Sequence, residues 1–335
     1  MMTSVEAAET MKAIVRRRWG NARDVVELAD LPRPDPAHDE VLVRVLASSI
    51  NRADYYSLGG AAILMRPMLG GFLHPKTERI GIDFAGIAEA VGGDVSDIQP
   101  GDEVYGTHTG AFAQYLAAKD VVTRKPASLS SEEAATVPLA ALTALEALRD
   151  TGGIKPGQRV LVNGGSGGVG IFAVQLAKAL GAAHVTAVCR THNLEQARAL
   201  GADHVIDYTR QDYTRSDQRY DLLIDIAGNR SWRANQRVLE RNGKRVLVGM
   251  PGGNRLIGPL GRLARFMLSR QFSKERQAFF ILEPDRTNLA FLSQLIDEGK
   301  LRTIVDRVYT LPELAEGLET MGEGHVQGKL AVRIS

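Results

Sequence analysis

Two hydrophobic rhythms divide the chain. From Met11 to Val122 apolar residues alternate with polar ones or come in short runs. Met11–Val15 predicts a strand, Val25–Leu28 a second, and Glu40–Ser48 (EVLVRVLAS) a half-buried third. Leu31–Pro36 is stiffened by prolines and is no helix interior. Asn51–Tyr56 predicts a short helix, followed by a long apolar loop over Gly59–Lys76. Ile80–Val91 is a strand with an interior glycine, Gly86, and Pro100-Gly101 turns into another ending near Tyr105. Phe112–Leu116 and Val121-Val122 complete a strand-dense, barrel-like unit.

The rhythm changes near residue 130. Ser130 and Glu133 have capping-box spacing, and Pro138 starts a helix reaching Arg149. Beyond them strands and helices alternate: strand Val160–Val162, a helix with Val169, Ala173, Leu176 and Leu180 on one face, and strand His184–Cys189. A helix over 193–200, strands over 204–207 and 220–226, a helix over 231–240 and strands over 245–249 and 278–282 follow. The tail reads helix, strand, helix, strand, over 287–298, 304–309, 312–321 and 330–334. The fold class is α/β, with a doubly wound parallel sheet of Rossmann type beside a β-rich unit.

The stretch Arg159–Gly181 (RVLVNGGSGGVGIFAVQLAKALG) carries the clearest chemistry. Gly165, Gly167 and Gly170 stand at G-x-G-x-x-G spacing between a strand and a helix, the opening of a dinucleotide-binding βαβ unit. In this pattern Gly165 permits the tight turn, Gly167 lets the backbone approach a pyrophosphate, and Gly170 lets helix and strand pack closely. Ser166, Gly168 and Val169 complete the loop, whose helix N-terminus faces the phosphate charge. The strand after it ends Cys189-Arg190-Thr191-His192 with no carboxylate for a ribose 2′-hydroxyl. Arg190 offers a planar fork of donors to a 2′-phosphate, and Thr191 and His192 add hydrogen-bonding groups, so the expected cofactor is NADPH.

Charge and composition narrow the rest. The 335 residues carry 41 basic and 39 acidic side chains, a net charge of +2 that gives no global affinity for nucleic acid. One cysteine, Cys189, allows no internal disulfide and no cysteine-rich zinc site. No apolar run approaches a membrane span, and the first ten residues have neither signal-peptide nor transit-peptide character, so a cytoplasmic location is expected. Gly258–Ser269 and Arg270 read as a basic amphipathic helix, for which core or dimer packing is the simplest role.

The words SSINRADYYSLGG, GIDFAGIAEAVGGDV, QPGDEVYG, ALTALEAL, NGGSGGVGIFAVQLAKALGA and LGADHVIDY make the chain similar to the medium-chain dehydrogenase/reductases. Within them it resembles the zinc-free NADPH:quinone oxidoreductase branch, especially the reticulon-interacting type. The resemblance implies a split GroES-like catalytic domain (1–138 and 284–335) around a Rossmann domain (139–283), with the active site between them. It implies a homodimer through the Rossmann sheet edge. It places Tyr208 beside the adenosine phosphate and Thr143 near the nicotinamide ribose or carboxamide. Asn229, Gly249 and Met250, at the ends of two central strands, fall where the nicotinamide half lies. Zinc-dependent relatives carry a cysteine after the EVLVRV-type strand and a histidine in a Gly-His-Glu word. This chain has Ser48-Ser49-Ile50-Asn51 and Gly81-Ile82-Asp83 there, so no metal is expected.

Without a Lewis acid, the expected chemistry is hydride transfer to an apolar acceptor needing little polarisation, a quinone or electron-poor enone. Asn51, Asp54 and Tyr55 match the polar positions lining the family's cleft: Asn51 as hydrogen-bond donor to acceptor or ribose, Tyr55 (or Tyr56) as donor to the developing oxyanion, and Asp54 fixing the loop, with Arg52 as a partner. Two other readings stay open, a 2-enoyl-thioester reductase and a non-catalytic NADPH-binding sensor.

Overall fold

In a computed structural model the chain is described over residues 9–60, 66, 71, 74–119, 121–249, 260–271, 273 and 276–334. Strands β1 (Thr10–Val15) and β2 (Glu27–Pro32) pair antiparallel around a single helical turn, α1 (Ala22–Val25). That turn takes up Val25, so the second strand starts at Glu27; its Pro32 sits at the last paired position, where a missing N–H does least harm.

β3 (Val41–Ile50), β4 (Asp83–Val91), β5 (Glu103–Thr107), β6 (Tyr115–Ala118) and β7 (Val122–Arg124) build most of a seven-stranded sheet, with the helix α2 (Arg52–Tyr55) following β3. Its remaining strands come from the far end of the chain, β14 (Val305–Thr310) and β15 (Lys329–Arg333). The order is β14-β15-β3-β4-β5-β7, with β6 also paired to β3, so the last strand is inserted between β14 and β3. Gly86 is explained here: a Cβ on it would lie 2.1 Å from the Arg44 carbonyl oxygen of β3.

Between these halves α3 (Ser131–Ala135) and α4 (Pro138–Leu145) lead into β8 (Arg159–Asn163) and α5 (Gly168–Ala179). β9 (His184–Cys189), α6 (Leu194–Ala199), β10 (His204–Asp207), β11 (Tyr220–Asp225), α7 (Trp232–Asn235), β12 (Leu239–Leu247), α8 (Leu260–Gln271) and β13 (Gln277–Phe279) follow. The six strands run parallel in the order β10-β9-β8-β11-β12-β13, the doubly wound sheet that the alternation predicts. α9 (Arg286–Asp297) returns the chain, and α10 (Leu314–Glu323) lies between β14 and β15.

Expected elements that come out shorter include the strands over 80–91 and 278–282, which are Asp83–Val91 and Gln277–Phe279, and one helix. The helix over 231–240 ends as a tight turn through Val238, and β12 begins at Leu239. β12 pairs with β11 at Leu239 and again from Lys244, with an irregularity between; the polar run Glu240-Arg241-Asn242 hides this early start.

The two sheets share packing. One apolar cluster includes Ala47, Ala85 and Tyr105 from the first sheet, Val137 and Leu142 beside α3 and in α4, and Val160, Ile171 and Leu289 from the second layer. The Tyr105 hydroxyl bonds to Ser293 Oγ of α9 at 2.7 Å. Because Tyr105 is fully buried, Tyr105→Phe is expected to lower unfolding free energy by about 1 kcal/mol, read by urea denaturation. An unchanged midpoint and slope would remove this bond from the contacts that hold β5 to α9.

Candidate active site

The glycine loop leaves β8 at Asn163. The left-handed turn falls at Gly164 (φ 97°), one residue earlier than the pattern suggests. Gly165 is needed for a different reason: its Cβ would lie 2.8 Å from Ala187 Cβ of β9. At Gly170 a Cβ would lie 2.0 Å from the Gly164 carbonyl oxygen, so helix and turn close on each other only without a side chain. Gly167 differs, since the nearest atom to its Cβ position is 3.8 Å away. The loop is open at Gly167 and Val169 is half-buried beside it, while the first-turn N–H groups of α5 lack internal acceptors. This arrangement fits a pyrophosphate.

Away from the loop, Ser166 Oγ accepts a bond from Asn193 Nδ2 at 2.9 Å, tying the loop to the end of β9. Asn193 Oδ1 is buried with no partner among the described residues, leaving an acceptor for a hydroxyl donor. Arg190 Nε donates to the Tyr208 hydroxyl at 3.1 Å, so these two expected cofactor residues stand together. Thr191 donates to Asp207 Oδ2 at 2.6 Å, and His192 is exposed. Asp207 is an acid that the sequence reading passes over. Hydrogen bonds from Thr191 and Thr209 hold its carboxyl below the usual range despite burial.

The opposite end of the loop meets β15. Gly328 N–H donates to the Ser166 carbonyl at 2.9 Å, and Gly167 and Gly328 form an isolated parallel bridge. The next residue, Lys329, is 2% exposed, and its Cδ lies 2.9 Å from the position a Gly168 Cβ would take. Its Nζ donates to Asn51 Oδ1 at 2.5 Å and stands 3.8 Å from Asp83 Oδ2. Asn51 Nδ2 donates to Asp83 Oδ2 at 2.8 Å, and Ser49 Oγ donates to the same oxygen at 2.9 Å. The other Asp83 oxygen accepts the Leu139 N–H at the start of α4, at 2.9 Å. Asp54 accepts the Asn51 N–H at 2.8 Å, and the expected ion pair with Arg52 is not formed. Lys329, Asp83 and this role of β15 are missed by the sequence reading; a lysine in an otherwise apolar terminal strand, Lys329–Val332, was the available signal.

Burial acts on all three ionisable groups. It pushes the Lys329 ammonium below its ordinary range, with Asp83 and Asp54 opposing, and raises Asp83 although Lys329 opposes. Burial likewise pushes Asp54 up to about 7, against the Asn51 N–H bond.

The other expected residues are more dispersed. Tyr55 forms no hydrogen bond to this cluster; its hydroxyl lies 3.0 Å from the position a Gly322 Cβ would take on α10, and its ring is 5.9 Å from Tyr56. Thr143 is half-buried and donates to the Leu139 carbonyl at 2.6 Å. Asn229 is exposed and accepts from Asn163 at 3.2 Å. Gly249 packs on the end of β11, its Cβ position 2.1 Å from the Ile226 carbonyl oxygen. Met250 lies outside the described residues, as does most of the apolar loop at 61–73. Among the described residues no group of three or more His, Cys, Asp or Glu side chains is placed to hold a metal, and no helix is long and apolar enough to cross a membrane.

A strand-rich sheet completed by β14 and β15 packs with a parallel sheet whose glycine loop meets β15, and this architecture is that of an oxidoreductase using a nicotinamide cofactor. Residues 37–127 match the alcohol dehydrogenase GroES-like domain, and residues 200–332 match the zinc-binding dehydrogenase domain. The chain belongs to the medium-chain dehydrogenase/reductase superfamily. It is 32% identical to the chloroplastic quinone-oxidoreductase QR1 of Triphysaria versicolor, covering 97% of this chain and 99% of that protein. It is also 32% identical to the mouse mitochondrial NAD(P)H oxidoreductase RTN4IP1, over 88% of this chain and 82% of that one. The quinone oxidoreductase structure from Coxiella burnetii superposes with a TM-score of 0.82 at 30% identity, covering 98% of this chain and 100% of that one.

The Asp54 shift has a consequence for stability. A carboxyl raised to about 7 keeps its proton in the native state at pH values where the unfolded chain, with a pKa of about 4, has lost it. Its contribution is full below the unfolded value and is lost as pH rises through the folded one. Asp54→Asn should therefore flatten the fall of Tm between about pH 4 and 7. Calorimetry across that range checks this, and a slope equal to the wild type's would refute it.

Proposed function

We propose that this protein is a zinc-independent reductase transferring hydride from NADPH to a quinone or another electron-poor enone or carbonyl. The observation carrying the cofactor half is the Arg190–Tyr208 pair at the end of β9, with the nearby Asp207 turned to Thr191 and Thr209. An arginine fork in that place favours a 2′-phosphate over a free hydroxyl. The glycine loop and the first turn of α5 would hold the pyrophosphate, with Ser166 and Asn193 next to the adenosine ribose. Thr143, Asn229 and Gly249 fall to the nicotinamide half. When bound, the cofactor supplies the hydride.

The chain's own residues supply placement and charge. The zinc-ligand words are replaced by Asn51 and Ile82-Asp83, and the names of the relatives favour a quinone acceptor. Asn51 has both amide atoms engaged, by Lys329 and Asp83, so its role in this reading is to hold the polar cluster in place, with Asp54 fixing its backbone. For assembly, the edge strand β13 and Ile281, 82% exposed just beyond it, favour a homodimer through the parallel sheet.

Arg190→Ala is expected to weaken NADPH binding roughly 10- to 100-fold, the value of a charge-assisted hydrogen-bond pair, and to leave NADH within about threefold. Fluorescence titration of both cofactors measures this; equal losses for the two would remove the 2′-phosphate assignment. NADPH oxidation followed against quinones, enones and 2-enoyl thioesters decides the acceptor. Faster turnover of the thioesters would replace the quinone reading.

A further inference from the structure

Hydride reduction of a quinone or enone leaves an oxyanion, and this chain presents no metal-ligand cluster among the described residues to receive it. Among the described residues Lys329 is a buried cation beside the glycine loop. We propose that Lys329 is the acid of this active site: its ammonium stabilises the acceptor oxyanion and then donates a proton to that oxygen.

The inference rests on the reductase reading, and three structural observations carry it. First, Lys329 is carried to the glycine loop by backbone contacts, since Gly328 N–H is bonded to Ser166 and Gly328 bridges Gly167. The lysine stem then runs past Gly168, where only a glycine leaves room for it. Second, the ammonium is incompletely used. Among the described residues Asn51 Oδ1 is its one hydrogen-bond acceptor, and Asp83 Oδ2 at 3.8 Å is an ion-pair neighbour beyond hydrogen-bond length. An ammonium has three N–H groups, so a donor remains for a ligand. Third, burying a charged lysine is costly unless its surroundings compensate, and a carboxylate within hydrogen-bond distance would do so best. Here Asp83 is instead occupied by Asn51, Ser49 and Leu139. The cluster holds the lysine in place without fully satisfying it.

The step balances simply. The acceptor gains a hydride, with its electron pair, and bears a negative oxygen. The Lys329 N–H bond breaks, an O–H bond forms, and the amine left behind regains its proton from water. The charged groups facing Lys329 are Asp83 from β4 and Asp54 from α2; α4 presents the Leu139 N–H to Asp83, and the glycine loop adds no charge. Burial lowers the lysine's pKa, which eases proton donation and brings the alkaline limit of activity below that of an ordinary lysine.

The test uses a stand-in for the oxyanion on the full chain without cofactor. 4-Nitrophenol is the probe, because its phenolate absorbs visible light and its neutral form does not. At a pH where the free phenol is neutral, the wild type should bind it as the phenolate. Lys329→Met should abolish that absorbance. Since this change strands Asp83 as a buried lone carboxyl, the double variant Asp83→Asn/Lys329→Met is measured beside it, with circular dichroism as the check of folding. Lys329→Arg should keep the phenolate signal and yet lose turnover, because a guanidinium holds its proton too tightly to donate it. With NADPH and a quinone, the double variant should lose about 100-fold or more in kcat, and the wild type's alkaline limb should disappear. A folded double variant that binds phenolate like the wild type, or turns over within twofold of it, would overturn the assignment, as would a wild type without phenolate signal. A wild type that binds phenolate but reduces no quinone or enone would refute the reductase reading and leave the oxyanion site standing.

Discussion

A lysine buried beside the glycine loop ties the two sheets of this structure together. Removing an ammonium from water is unfavourable by several kcal/mol unless oxygen atoms replace the lost solvent. Four elements converge to replace it. β15 brings Lys329, the end of β3 brings Asn51, β4 brings Asp83, and the start of α4 fixes Asp83 through the Leu139 N–H. The same strand is stitched to the glycine loop through Gly328 and Ser166. The position of one sheet against the other is thus tied to the satisfaction of one charge.

The polar residues around the glycine loop differ in character from one end to the other. At one end Arg190 and Tyr208 stand half-exposed, and the Asp207 carboxylate is held by hydrogen bonds from two threonines. At the other end two carboxyls and one ammonium are shut away from water, and burial drives each toward its neutral form. An exposed guanidinium retains its charge under any ordinary condition, whereas the buried cluster responds to pH.

Much of this was legible in the sequence, for local reasons. Periodicity and turn residues give the parallel sheet and the strand-dense unit, and the glycine spacing gives the loop, because these depend on neighbours within a few residues. The roles of individual glycines were less legible. The left-handed turn belongs to Gly164, and Gly165 is kept small by Ala187, a residue of the next strand. Lys329 left only a faint signal, a lysine opening an apolar strand, since its partner Asn51 is 278 residues away. The packing of Tyr55 is likewise not a local matter. Helical position alone does not reveal that Gly322 makes space for its ring.

The insertion of β15 between β14 and β3 also bears on how the protein is made. During synthesis β3 emerges early and β15 much later; β6 can pair with Val41–Arg44, but Ala47–Ile50 on the same side of β3 has no strand to pair with until β15 is made. Contacts of such long sequence separation form late and slowly. The parallel sheet, built from consecutive segments, has no such delay and can assemble first. Lys329 arrives with β15, so the polar cluster closes only after that strand is made. A truncated product would keep its glycine loop and lack the cation beside it.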